Sequence, residues 1–219
     1  MKKIIFALIL FGSCSLFAHA QTLLDEEDFQ SWNDLQLTVP MTKHFDFWTQ
    51  VTMRFGGNVT RLNDGRYAVG FVWKPSKSLS FTPFYWNIRA RNSAGRFRTE
   101  HRLNLRAQYR FPFKKFGLSH RSTFEYRLRN PRNSWRYRPS LTFEKDIPKK
   151  FIPAAKFYIT EEIFYDSLLK EFSRNRLTVG ITKTLTKKLS LDLYYMRQND
   201  GFSRPGDLNV IGTSWKVRL

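Results

Sequence analysis

Residues 98–110 read Arg-Thr-Glu-His-Arg-Leu-Asn-Leu-Arg-Ala-Gln-Tyr-Arg. Leu103, Leu105, Ala107, Tyr109 and Phe111 share one parity, while Arg102, Asn104, Arg106, Gln108 and Arg110 share the other. A period of two sends alternate side chains to opposite faces of a β-strand. One face of this strand is therefore apolar and the other strongly polar. A soluble sandwich would turn the polar face to water and the apolar face to a core. A transmembrane barrel would turn the apolar face to lipid and the polar face to a wet lumen. Whether the pattern repeats along the chain decides between them.

It does repeat. Eleven strand-like segments lie near 31–40, 46–57, 66–74, 79–91, 98–111, 117–129, 135–145, 155–166, 174–185, 189–199 and 207–219. Their length of about ten residues is what crosses a bilayer at a tilt. In the second segment Phe47, Thr49, Val51, Met53 and Phe55 oppose Trp48, Gln50, Thr52 and Arg54; in the sixth, Phe124, Tyr126 and Leu128 oppose Thr123, Glu125, Arg127 and Arg129. No apolar run after Gln21 has the length of a transmembrane helix, and mean hydropathy is negative although 16% of residues are aromatic. A barrel needs only every second residue of each strand to be apolar. The expected fold is all-β, an up-and-down antiparallel transmembrane β-barrel.

Lys/Pro-marked turns follow the odd-numbered segments and Gly/Asn-rich loops the even ones. Short periplasmic turns and longer outer loops are built in this way. An even strand number puts both termini in the periplasm, yet the first segment would start outside. Twelve strands are therefore expected, with residues 22–30 supplying one more, and ten are the alternative if one segment is misassigned.

The chain starts with Lys2 and Lys3, an apolar run over 4–11, and the small-x-small site Ala18-His19-Ala20. Residues 1–20 read as a secretory signal peptide, 21–30 as an acidic N-terminal segment, and 31–219 as the barrel. Phe11-Gly12-Ser13-Cys14 is a degenerate lipoprotein site that would instead lipidate Cys14. Cleavage after Ala20 leaves no cysteine, which excludes disulfides and thiolate metal sites. At the other end Trp215, Val217 and Leu219 alternate to the last residue. This resembles the signal by which outer-membrane proteins reach the barrel-assembly machinery, although an aromatic residue usually stands last.

Trp32-Asn33-Asp34-Leu35, a Lys-bearing turn and Val51-Thr52-Met53-Arg54-Phe55 together resemble the secreted bacterial domain-of-unknown-function family 2490. Glu100-His101-Arg102, Gln108-Tyr109-Arg110-Phe111 and Glu125-Tyr126-Arg127-Leu128-Arg129 add to the likeness, which covers residues 28–219. The resemblance implies an outer-membrane barrel of a Gram-negative bacterium and carries over no catalytic residue.

The formal charge is +19, and loss of Lys2 and Lys3 with the signal peptide lowers it to +17. Lys/Arg stripes with aromatics bind nucleic acid, but a mature chain exported from the cytoplasm does not meet it. With apolar side chains toward lipid, the inward set is Arg89, Arg91, Arg102, Arg106, Arg110, Arg121, Arg127, Arg129, Arg136 and Arg138. Glu100, Glu125, Glu144, Glu162 and Asp192 lie among them. Turning such groups to lipid would cost about 2–4 kcal/mol each at mid-depth. Two readings remain open for this lumen. Arg–carboxylate pairs can fill and stiffen it, or the excess of Arg can draw small anions through it.

Arg61, Arg66, Arg96, Arg98, Arg132, Arg174, Arg176 and Arg204 fall near the outer loops, where they can pair with lipopolysaccharide phosphates or simply be solvated. Trp32, Trp48, Trp73, Trp86, Trp135 and Trp215 are candidates for interfacial girdles, with Trp48 inward by parity and suited to lumen packing. His101 and His120 face outward at opposite membrane edges, and His44 lies in a turn. Ser122 shares its face with His120, the spacing of a nucleophile and base, but no third group is evident to orient the histidine. A lipid hydrolase acting on phospholipid or lipid A is therefore the alternative to a structural or narrow-pore barrel. A soluble periplasmic sandwich is a weaker third. Three scattered histidines make no metal site, the run Asp25-Glu26-Glu27-Asp28 reads as a solvated tail before it reads as a cation site, and no cofactor is expected.

Overall fold

The structure, a computed structural model, describes residues 27–92 and 94–219. Among these residues the strands are β1 (Asp28–Pro40), β2 (Phe45–Gly56), β3 (Arg61–Trp73), β4 (Leu79–Arg91), β5 (Phe97–Phe111), β6 (Gly117–Leu128), β7 (Ser134–Asp146), β8 (Ala155–Asp166), β9 (Glu171–Thr184), β10 (Leu189–Asp200) and β11 (Leu208–Arg218). Sequence neighbours pair antiparallel, and β1 closes on β11 to complete a barrel. Every segment marked by the two-residue period is a strand.

Closure differs from expectation. The count is eleven, neither twelve nor ten, and β1 runs parallel to β11 from Asp28 opposite Leu208 to Thr38 opposite Arg218. An odd number of up-and-down strands forces one parallel pair; the even count had presumed an antiparallel seam. No strand precedes β1 among the described residues, and β1 starts at Asp28, inside the segment assigned to the acidic tail. The signal peptide and Cys14 lie outside the described residues.

The parallel seam sends the two ends of the wall to opposite mouths. The Asp28 amide donates to the Asp207 carbonyl at 3.0 Å at one mouth, and the Leu219 amide to the Thr38 carbonyl at 3.1 Å at the other. Connections 41–44, 74–78, 112–116, 147–154 and 185–188 surround the Leu219 end, the lysine mouth. Connections 57–60, 92–96, 129–133, 167–170 and 201–207 surround the Asp28 end, the arginine mouth. The two sets are similar in length, which corrects the expected long outer loops. β3 and β9 reach into the Gly/Asn-rich stretches, and register shifts at Arg54/Phe55 and Phe164/Tyr165 absorb the odd residue, as β-bulges do.

Even-numbered side chains turn inward in every strand except β6, where odd-numbered ones do, and except in the first residues of β3 and β9, where the bulges reverse the parity. The outer wall carries a belt of exposed apolar groups, including Leu35, Val51, Met53, Leu103, Leu105, Leu177, Leu193 and Ile211. Aromatic rows flank the belt. Near the lysine mouth Phe45, Trp73 and Phe81 stack in sequence (6.4 and 5.5 Å between centroids), as do Phe111, Phe113 and Phe116 (6.1 and 4.8 Å). Near the arginine mouth Phe124, Trp135, Tyr165 and Phe172 follow one another at 5.6, 5.4 and 5.5 Å.

Inside, Trp48, Ala68, Phe84, Trp86 and Ile88 form one apolar cluster against β2–β4, and Trp32, Met196, Leu208 and Val210 a second beside the seam. Trp32 and Trp86 thus join Trp48 in the lumen, while Trp73, Trp135 and Trp215 remain on the outer wall. Tyr158 lies over its register partner Gly180, where a Cβ would meet the ring at 2.7 Å, and Tyr194 covers Gly212 in the same way. The two tyrosines lie flat along the wall because glycine leaves room for them.

Candidate functional site in the lumen

Alternation on β5–β8 delivers the inward charges at neighbouring register positions. Arg102 opposes Arg127, Asn104 opposes Glu125, and Glu125 opposes Arg136. Glu125 is wholly buried. It accepts from Arg102 Nη1 at 3.2 Å and also from Arg138. Glu100 accepts from Arg102 Nε and Arg127 Nε, both at 2.7 Å. Glu162 takes Arg138 Nη2 at 2.9 Å and Arg121 Nη2 at 3.0 Å, with Arg176 at 3.7 Å. Asp166 takes Arg136 Nε at 2.6 Å and lies 3.6 Å from Arg127. Four carboxylates are thus shared among guanidinium groups from β5, β6, β7 and β9. Planar forks pairing with carboxylates in a desolvated space give strong hydrogen bonds, and the mesh ties together the inner faces of β5–β9.

Two arginines on the other side of the lumen have no such compensation. Arg106 lies 4.9 Å above the Phe84 ring and 5.7 Å above Trp48, and Arg54 lies 3.4 Å above Trp32. Neither arginine has an ion pair, nor its Nε a hydrogen-bond partner, among the described residues. Cation–π contact replaces the missing carboxylates.

Of the residues expected to line the lumen, Arg102, Arg106, Arg110, Arg121, Glu125, Arg127, Arg129, Arg136, Arg138, Glu144 and Asp192 have inward parity. Arg129 stands at the arginine mouth, 3.6 Å from Glu100; Arg110 lines a cavity at the lysine mouth; Asp192 pairs with Lys216. Arg89 is a correction. It is exposed on the outer face, opposite Gly65 and Thr99, and Arg91 shares its parity. Both faces of β4 are rich in apolar groups, and the one packed into the lumen is Thr82, Phe84, Trp86 and Ile88. Arg66, Arg174 and Arg176 move the other way. Expected at the rim, they turn inward to Asp64, Asp200 and Glu162, leaving Arg96, Arg98 and Arg132 exposed there.

Two cavities open at the ends of the bore. One of about 540 Å³ at the lysine mouth is lined by Lys43, His44, Lys74, Lys77 and Arg110; one of about 330 Å³ lies at the arginine mouth. The ion-pair mesh lies between them. At the arginine rim Glu27 pairs with Arg197 at 2.8 Å, which holds the Glu27 carboxyl below its ordinary range. Asp28 accepts from the Gly57 and Asn58 amides at 3.1 and 2.8 Å. Asp28 thus caps a loop and Glu27 pairs with the wall; Asp25 and Glu26 lie outside the described residues, and no cluster suited to a metal occurs among the described ones.

On the outer wall His120 Nε2 lies 2.9 Å from Ser122 Oγ, which lies 2.9 Å from the Tyr137 hydroxyl. The third polar group therefore contacts the serine instead of the histidine. Glu161, which the periodicity did not single out, also faces outward and opposes Leu141, itself opposite His120.

The closed barrel has a counterpart in fold among known proteins. The family described as a protein of unknown function, DUF2490, matches residues 29–209. The chain belongs to the DUF2490 family. No curated protein matches the chain. Among solved structures, the NanC porin in its rhombohedral crystal form resembles this DUF2490 barrel with a TM-score of 0.51 and 11% identity, over 88% of this chain and 99% of the porin. Identity that low speaks for a shared fold.

Proposed function

We propose that this DUF2490 protein is an outer-membrane barrel of structural or narrow-pore type, stoppered at mid-depth by Arg–carboxylate pairs and passing only small anions where it conducts. The apolar belt between two aromatic rows supports the membrane reading, since outer-membrane barrels present such a band to lipid. The porin fold agrees with it. Export by the signal peptide, assembly by the barrel-assembly machinery and contact of Arg96, Arg98 and Arg132 with lipopolysaccharide belong to the same reading. On this reading the Lys/Pro-marked turns of the lysine mouth face the periplasm and the arginine mouth faces outside.

The observation that carries the reading is Glu125, wholly buried and held between Arg102 and Arg138. A carboxylate so enclosed leaves no water path on its side of the bore. Planar-bilayer recording tests it: the wild type gives silence or small anion-selective steps. Large cation-selective steps would refute both halves of the proposal.

The His120–Ser122 contact favours a second reading, a lipid hydrolase with Ser122 as nucleophile and His120 as base. Its test is deacylation of phospholipid or lipid A by the reconstituted barrel. Activity lost in His120→Ala would support it, and no activity in the wild type would end it.

A further inference from the structure

The cavity at the arginine mouth has a charge balance that the central mesh does not explain. Its floor is the Trp32 indole, 5% exposed, with Arg54 3.4 Å and Arg176 5.0 Å from the ring centroid. Arg61, Arg91 and Arg204 line it too. The carboxylates nearby are already engaged. Asp64 holds Arg66 through two bonds of 2.6 Å, and Asp200 holds Arg174. Arg91 donates to the Leu62 and Gly95 carbonyl oxygens at 2.8 Å each, which leaves its charge uncompensated. Arg54, Arg61 and Arg204 have no ion pair among the described residues.

Guanidinium groups gathered around a concave site without counter-charge repel one another, and a ligand that supplies the charge relieves that repulsion. Their forks match the paired oxygens of phosphate and carboxylate. Four uncompensated arginines around one cavity call for a ligand with more than one negative charge. The volume of about 330 Å³ lies at the small end of ligand sites, which run from about 300 to 1,000 Å³. We propose that the arginine mouth binds a small multivalent oxyanion, a phosphate or polycarboxylate compound, on Arg54 and Trp32. The proposal goes beyond the stoppered lumen and does not require it, because Trp32 gives the cavity its floor.

Titration calorimetry on the detergent-solubilised barrel tests it, with pyrophosphate, citrate, chloride and sucrose as probes. Pyrophosphate or citrate should bind one to one, at least about tenfold tighter than chloride, and sucrose should not bind. Citrate beside pyrophosphate separates polycarboxylate from phosphate, and either one binding at that strength supports the site. Arg54→Met keeps cover on Trp32 but removes the charge; it should weaken binding about tenfold or more while heat-modifiable migration shows the barrel intact. Equal affinity in wild type and variant, or oxyanions no tighter than chloride, overturns the proposal. So does competition by lipid A-loaded micelles, which would move the anion contacts to the lipid-facing rim. Calorimetry does not depend on conductance. Tight binding by a barrel that passes large cation-selective currents would keep the site and sink the stoppered lumen; a silent barrel that ignores both oxyanions would do the reverse.

Discussion

Replacing Glu125 by Gln removes one negative charge from the most enclosed part of the lumen while keeping the side-chain shape. Breaking a buried ion pair from one side costs about 3–5 kcal/mol, because the partner is left charged and unpaired. Here the partners are not stranded. Arg102 keeps Glu100 at 2.7 Å and Arg138 keeps Glu162 at 2.9 Å. The expected loss therefore falls at the low end, about 3 kcal/mol, or about a hundredfold in the folded-to-unfolded ratio. Equilibrium unfolding in urea, followed by heat-modifiable gel migration, reads it. Glu144→Gln is the control: Glu144 also faces inward but makes no ion pair among the described residues, so its cost stays within about 0.5 kcal/mol. Glu125→Gln within that same margin, or more stable than the wild type, would refute the mesh as the stopper of the bore.

The seam is tested by Asn33→Cys with Thr213→Cys in a chain lacking Cys14. Asn33 and Thr213 are parallel register partners whose side chains already meet at 2.8 Å, so mild oxidation should cross-link them; no cross-link, with one formed instead at a shifted pair, would reject the parallel closure. Gly212→Val forces a branched side chain into the Tyr194 ring and should cost about 1–3 kcal/mol by overpacking, recovered in part by Tyr194→Ser; an unchanged urea midpoint would show that the ring moves aside freely. Nitroxides at Leu105 and Arg106 should report oxygen access at the first and aqueous quencher at the second, and the reverse pattern would invert the barrel wall.

Strand positions were legible because a two-residue period is a local property, and facing was legible wherever the two faces differed in charge. β5 and β6 set Arg, Asn and Glu against Leu, Tyr and Phe, so Arg102, Glu125 and Arg127 could be assigned inward from spacing alone. β4 lacked that contrast. Phe81 and Tyr85 on one face resemble Phe84 and Trp86 on the other, so Arg89 was assigned by its charge, whereas the aromatics of Phe84 and Trp86 had a partner in Trp48 on a strand distant in sequence. Arg66, Arg174 and Arg176 begin their segments beside Gly/Asn-rich flanks, which marks them as rim residues, whereas the bulges let those flanks pair and set the three arginines deeper in the wall. The seam was not legible at all. Alternation says which face a residue takes but nothing about which edges meet.

The sign of charge changes in importance along the bore, and that gradient bears on what the barrel can do. Both mouths are basic, through Lys43, Lys74 and Lys77 at one and Arg54, Arg61 and Arg204 at the other. Between them four carboxylates stand among seven arginines, Arg102, Arg121, Arg127, Arg129, Arg136, Arg138 and Arg176, so the middle is packed with ion pairs and still keeps an excess of positive charge. On the proposed reading an anion is attracted at either end, and its barrier at mid-depth is steric, set by the packed side chains around Glu125. On the same reading a cation is disfavoured at both mouths and gains nothing at the centre. If the barrel discriminates at its entrances and resists at its centre, as proposed, shortening a central side chain should raise conductance without reversing selectivity.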